Sequence, residues 1–150
     1  MKFVAFEDLD MSQVDLFDRL SDFEQFERQA IRRGVNVTRQ GSIVSQSGLK
    51  WQCSFDYRGR NRSVLIELID FDHGSTLEFF VINSSLNISV QLELVSLSTS
   101  KTPLSATSVL EPKTLAARLL VQSMKLTRSK FNKRYKNRLH RIGKNLTGAE

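Results

Sequence analysis

The 150-residue chain predicts an α+β fold, with an antiparallel sheet and helices gathered on one face. Three observations carry that expectation. A period of two runs through residues 35–111. Two short helical patterns precede it, and one long helical pattern follows it. The strands are joined by short turns, which favours antiparallel pairing; parallel units need long crossovers.

The elements follow in order. Residues 2–9, KFVAFEDL, are rich in β-branched and aromatic side chains and predict a first strand. Ser12, followed three residues later by Asp15, is close to a capping box, and Val14, Phe17 and Leu20 repeat on one helical face, predicting a helix over 13–20. Asp22 is a second cap. Phe23, Phe26 and Ile31 follow it and Gly34 stops the pattern, predicting a helix over 23–33. Leu49, Trp51, Cys53, Phe55 and Tyr57 then alternate with polar residues, the signature of a half-buried strand. Arg58-Gly-Arg-Asn61 reads as a hairpin turn, 64–69 as a strand, Asp70–Gly74 as a turn and 76–82 as a strand. Leu86, Ile88, Val90, Leu92 and Leu94 alternate again, 98–101 is a turn, and the last strand lies around 103–111. Pro112 closes the sheet. A single long helix is expected from Lys113 or Thr114, with Leu120, Met124, Phe131, Tyr135, Ile142 and Leu146 in a stripe about 80° wide. No internal repeat or linker divides the chain, so residues 1–150 are expected to form one domain.

Composition narrows the function classes. Two prolines and seven glycines exclude a collagen-like or proline-rich chain. A single cysteine excludes an internal disulfide framework and a thiolate-rich metal site. Acids appear by Glu7 and no apolar h-region follows the first residues, so a cytoplasmic location is the simplest expectation, and no apolar run reaches the roughly 20 residues of a membrane span. The N-x-S/T triplets at Asn36, Asn61, Asn83, Asn87 and Asn145 are then chance matches. The net charge of +6 is unevenly distributed. Residues 113–150 hold 11 basic groups and one acid; residues 1–112 hold 11 basic groups and 15 acids. A basic segment on an acidic body either meets an anionic partner or faces the acids of its own fold.

The stretches VDLFDRLSDFEQFE at 14–27 and EPKTLAARLLVQSMKLTRSKF at 111–131 resemble the helix pair and the final strand-to-helix junction of the SRPBCC superfamily, START-like, polyketide-cyclase-like and birch-pollen-allergen-like proteins. The resemblance covers essentially the whole chain and is strongest to uncharacterised bacterial members. It implies a helix-grip fold, in which a curved antiparallel sheet (β-α-α-β6) wraps around a long C-terminal helix and a cavity lies between them. It further implies binding of a hydrophobic small molecule or lipid. It transfers no catalytic residue, because the superfamily shares no catalytic constellation, and it implies no cofactor.

Within such a cavity the expected lining is Trp51, Cys53, Phe55, Tyr57, Phe79, Val81, Leu92, Met124 and Phe131, with Trp51 and Tyr57 offering polar handles. The plainer alternative for each is core packing. Cys53 in particular reads as a small buried hydrophobe rather than a nucleophile. Asp70, Asp72 and His73 read as turn chemistry, since no second cluster with metal-ligand spacing accompanies them. His140 points away from the apolar stripe and reads as solvated. A cyclase- or hydrolase-like enzyme using the same cavity is a further reading; it requires an inward acid–base pair, and Glu67, which interrupts an apolar strand, is the carboxylate it would place there.

The basic helix supports a rival reading. Lys125, Arg128, Lys130, Lys133, Arg134, Lys136, Arg138, Arg141 and Lys144, with Arg58, Arg60 and Arg62 at the hairpin, could bind a phosphate polymer or an anionic membrane surface. No nucleic-acid motif accompanies them, so nucleic acid is the weaker partner. The opposing reading is a solvated face turned to the first 27 residues, which carry eight acids and two basic groups. The sequence does not fix the oligomeric state.

Overall fold

The computed structural model describes residues 1–41, 48–72 and 74–148. Among these, β1 is Lys2–Leu9, α1 Gln13–Leu20, α2 Phe23–Arg32, β2 Asn36–Gln40, β3 Lys50–Tyr57, β4 Arg60–Asp72, β5 Thr76–Ile82, β6 Leu86–Leu94, β7 Thr102–Pro112, α3 Leu115–Leu126 and α4 Arg128–Thr147. The strands form one antiparallel sheet in the order β1-β7-β6-β5-β4-β3-β2. β2 to β7 are a meander, and β1 closes against the last strand. No helix is long and apolar enough to cross a membrane, among the described residues.

Local chemistry sets the boundaries. The Ser12 hydroxyl accepts from the Asp15 amide at 3.2 Å, and the Asp22 carboxylate accepts from the Gln25 amide at 3.3 Å, so each short helix starts on its own cap. Thr114 does the same for α3, accepting from Ala117 N at 3.1 Å. The β3–β4 hairpin turns on Arg58 and Gly59, both at positive φ (52° and 76°), the two-residue turn whose twist matches the strands it joins. A register shift between Leu68 and Asp70 bends β4.

One face of the sheet carries the core. Leu9, Leu16, Phe17, Leu20, Phe23, Leu49, Trp51, Leu68, Leu77, Leu94, Leu104 and Leu139 cluster there. α4 lies along β1. The Phe3 and Tyr135 rings are 5.6 Å apart, Glu7 meets His140, and Gly143 sits against Leu9. Ala5 and Ala106, paired across the β1–β7 ladder, keep this face low enough for the helix to approach. The Ser108 hydroxyl bonds the Tyr135 hydroxyl at 2.8 Å.

The C-terminal segment differs from the single helix expected. It breaks at Thr127 (φ −123°, ψ 41°), whose amide turns back to Met124 O at 3.1 Å. α3 rests on β7 through Ala117 and Val121, while α4 follows β1, and the break lets each segment follow its own strand. The break also resets the helical phase. The inward side of α4 is Tyr135, Leu139, Gly143 and Leu146, and Leu120 on α3 is exposed. His140 is also placed differently: its imidazole is half exposed but faces the Glu7 carboxylate.

Candidate functional site

Because α4 follows β1 and α3 follows β7, the middle of the sheet is left to α2. A cavity of about 370 Å³ lies between them. Phe23, Phe26, Glu27 and Ala30 of α2 form its roof, at the i, i+3, i+4, i+7 spacing of one helical face. Its floor is Val37, Trp51, Cys53, Ile66, Phe79, Val81, Val90 and Leu92, inward positions of five adjacent strands. Leu20 closes one side, and Ile142 is the contribution of α4. The volume lies within the usual range for small-molecule sites, and the wall is apolar except for Glu27 and the Cys53 thiol.

Three aromatic rings brace the wall. Phe23 meets Trp51 edge-on at 5.2 Å, and Phe79 lies 6.3 Å from Phe23 and 6.4 Å from Trp51. The one carboxylate is engaged through one of its oxygens. Trp51 Nε1 donates to Glu27 Oε2 at 2.9 Å, and Arg39 reaches the same oxygen at 3.3 Å. Burial pushes the Cys53 thiol above its ordinary range.

Five of the expected lining residues, Trp51, Cys53, Phe79, Val81 and Leu92, lie on the cavity wall. Four lie outside it. Phe55 and Tyr57 continue past the cavity toward the hairpin tip, where Tyr57 is exposed beneath the Arg58 guanidinium. Met124 belongs to α3, on the far side of the Thr127 break, and Phe131 packs under Arg134 on the outer part of α4. Neither expected polar handle is free in the cavity: the Trp51 indole is committed to Glu27, and Tyr57 is elsewhere. Glu67 lies on the other face of the sheet, paired with Lys50 at 3.5 Å. Glu27, which the sequence reading passed over, takes the inward place; its spacing from Phe23 and Ala30 was the available signal.

The other candidates resolve simply. Asp70 and Asp72 belong to β4, opposite Glu78 and Thr76 of β5, so the strand runs further than expected and only its last residue opens the turn, Asp72 accepting from the Ser75 hydroxyl at 3.0 Å; His73 lies outside the described residues. Among the described residues no three His, Cys, Asp or Glu side chains gather as a metal-binding group. α4 packs on β1 and α1, so the basic helix does lie against the acidic first 27 residues, but among the described residues no lysine or arginine of 113–144 comes within ion-pair distance of a carboxylate, and His140–Glu7 is the contact of this kind.

A second cleft of about 680 Å³ adjoins the cavity. Arg19 of α1, Gln25 and Gln29 of α2 with its caps Asp22 and Arg33, and Arg138, Arg141 and Asn145 of α4 line it. Phe26 and Ile142 line both spaces.

No protein-family model matches the chain, and no curated protein matches it in sequence. Solved structures match it across most of its length. A protein of Thermus thermophilus superposes with a TM-score of 0.69 at 11% identity, covering 99% of this chain and 98% of that one. The Zhui aromatase/cyclase of Streptomyces sp. R1128 gives 0.60 at 11% identity, covering 89% of each. A START superfamily protein of Mycobacterium smegmatis gives 0.55 at 10% identity, covering 89% and 95%. With its seven-stranded antiparallel sheet gripping a long C-terminal helix, the chain has the helix-grip α+β fold of the SRPBCC/START-like proteins.

Proposed function

We propose that residues 1–150 act as one cytoplasmic binding unit that holds a hydrophobic small molecule or lipid, without covalent chemistry, between the sheet and α2. One observation carries this reading: the apolar cavity of about 370 Å³, whose single carboxylate is already engaged by Trp51 and Arg39. Affinity would come from burial of apolar surface, at roughly 25 cal/mol per Å². The test is native mass spectrometry of the purified protein before and after denaturing extraction. A co-purified apolar mass that leaves on denaturation supports the reading. A protein that takes up no lipid, sterol or quinone from a mixed panel opposes it.

A second reading concerns α3. Leu115, Leu119 and Leu126 are 73%, 62% and 87% exposed and share one stripe, opposite the buried Ala117 and Val121. Arg118 and Lys125 flank them, and the unpaired basic residues of α4 continue the positive surface. An apolar stripe bordered by cations suits an anionic membrane surface, from which a cavity lipid could be collected. Flotation with vesicles should then require anionic lipid, and Leu115→Gln/Leu119→Gln/Leu126→Gln should abolish it. Flotation with purely zwitterionic vesicles, or a triple variant that still floats, would sink this reading.

A further inference from the structure

The cavity and the arginine cleft are neighbours, and the chemistry of the two differs sharply. The cavity offers a bound molecule no free hydrogen-bond donor beyond a thiol: the Trp51 indole N–H is given to Glu27, and the Glu27 carboxylate only accepts. An anionic end buried there would lose its hydration without replacement and would face that carboxylate. Such an end must therefore lie where the cavity meets solvent. Phe26 and Ile142 line both spaces and are 38% and 39% exposed, which puts the cleft beside the cavity at this edge.

The cleft is built for negative charge. Four guanidinium groups line it, from Arg19, Arg33, Arg138 and Arg141, against one carboxylate, Asp22. Asp22 is occupied as the cap of α2. Arg19 donates to the Leu146 carbonyl at the end of α4, which fixes it in place and covers the negative end of that helix. Arg33, Arg138 and Arg141 have no ion-pair partner among the described residues. The amides of Gln25, Gln29 and Asn145 add neutral donors. Planar guanidinium groups bind carboxylate and phosphate oxygens in pairs, and unpaired ones beside an apolar opening favour an anion that carries its own apolar tail.

We propose that the ligand is a single-chain amphiphile with an anionic carboxylate or phosphate head, its chain in the cavity beneath α2 and its head between Arg33, Arg138 and Arg141. This rests on the cavity reading above and narrows it.

The test uses the full chain with laurate, dodecanol and inorganic phosphate, followed by calorimetry and by the emission of Trp51, the protein's one tryptophan. Laurate should bind at least about tenfold more tightly than dodecanol at low salt, and the advantage should shrink as salt rises. Arg138→Gln/Arg141→Gln should remove the advantage while leaving dodecanol affinity unchanged. Arg60→Gln/Arg62→Gln, which removes the same charge at the hairpin, should leave both affinities unchanged. Both arginine pairs lie on exposed positions, so thermal melting should show the fold intact. If dodecanol binds as tightly as laurate, or the laurate advantage survives Arg138→Gln/Arg141→Gln, the anionic-head proposal fails and the cavity reading stands. If phosphate alone binds as tightly as laurate, the cleft serves a tailless anion and the proposal fails. If neither laurate nor dodecanol binds, both readings fall together.

Discussion

Trp51 and Glu27 are joined across the cavity wall by a 2.9 Å hydrogen bond from the indole Nε1 to the carboxylate, linking β3 to α2. The bond does two things. It ties the roof of the cavity to its floor, and it withdraws both polar groups from the interior. Glu27→Ala would leave the indole N–H without its acceptor and Arg39 without its carboxylate. We expect a loss of about 1–3 kcal/mol in urea unfolding. Glu27→Gln keeps an acceptor oxygen for the indole and should lose less. Equal losses for the two variants would mean that the charge, and not the hydrogen bond, holds the roof.

Ala30 stands on the cavity roof, where a larger side chain has space to enter. Ala30→Leu keeps a good helix former and fills part of the space. Ligand uptake should fall at least tenfold while the melting temperature holds or rises. Trp51→Ala makes the complementary case. It should weaken ligand binding, but Trp51 also packs on Phe23 and Phe79, so a cost of about 3–5 kcal/mol in stability is expected alongside. Ala30→Leu that leaves uptake unchanged would show that the ligand does not use this space.

The buried thiol of Cys53 and the half-buried phenol of Tyr135 give the protein an alkaline limit. Burial raises Cys53 above its ordinary 9.0. Burial also raises Tyr135 above 10.0, with the Ser108 hydrogen bond partly opposing it. As pH rises, the unfolded chain surrenders these protons before the folded one does. Their contribution to stability is therefore complete below pH 9 and is lost as pH climbs from there through the raised folded values. Denaturation midpoints measured from pH 7 to pH 11 should fall over the upper part of that range, and Cys53→Val should flatten the first part of the fall. Native Cys53 should also react with a thiol reagent far more slowly than the unfolded chain at pH 8. A native thiol that labels at the unfolded rate would contradict its burial.

The elements were legible because periodicity is a local property. Alternation put Trp51 and Cys53 on one face of β3, and Phe79, Val81 and Leu92 on inward positions of their strands, with no knowledge of what covered them. What covers them is a tertiary choice. The stripe from Leu120 to Leu146 assumed one unbroken helix, and the break at Thr127 rotates α4 so that Leu139 and Gly143 turn inward. α4 then spends its buried face on β1, and the cavity roof falls to the eight-residue span Phe23–Ala30 of α2. Glu27 shares a helical face with Phe23 and Ala30, but what holds it there is tertiary: its partners Trp51 and Arg39 are 24 and 12 residues away in the chain. The arginine cleft likewise draws on α1, α2 and α4, so no local pattern announces it.

Gly143 marks a close approach of α4 to β1. A Cβ there would lie 2.7 Å from Leu9 Cδ2 and 3.4 Å from Glu7 Cγ. Two effects compete in Gly143→Ala. The helix gains about 1 kcal/mol from the better helix former, and the contact with Leu9 costs a similar amount if that side chain must shift. The net change in urea unfolding should stay within about 1 kcal/mol. Gly143→Val brings a branched side chain into the same gap and gains less from helix propensity, so it should lose about 1–3 kcal/mol. Leu9→Ala combined with Gly143→Val tests whether the contact is the cause. The penalty of the valine should shrink when the leucine is gone, since the two then share one space. Strictly additive losses would place the cost in the helix itself and not in its seat on β1.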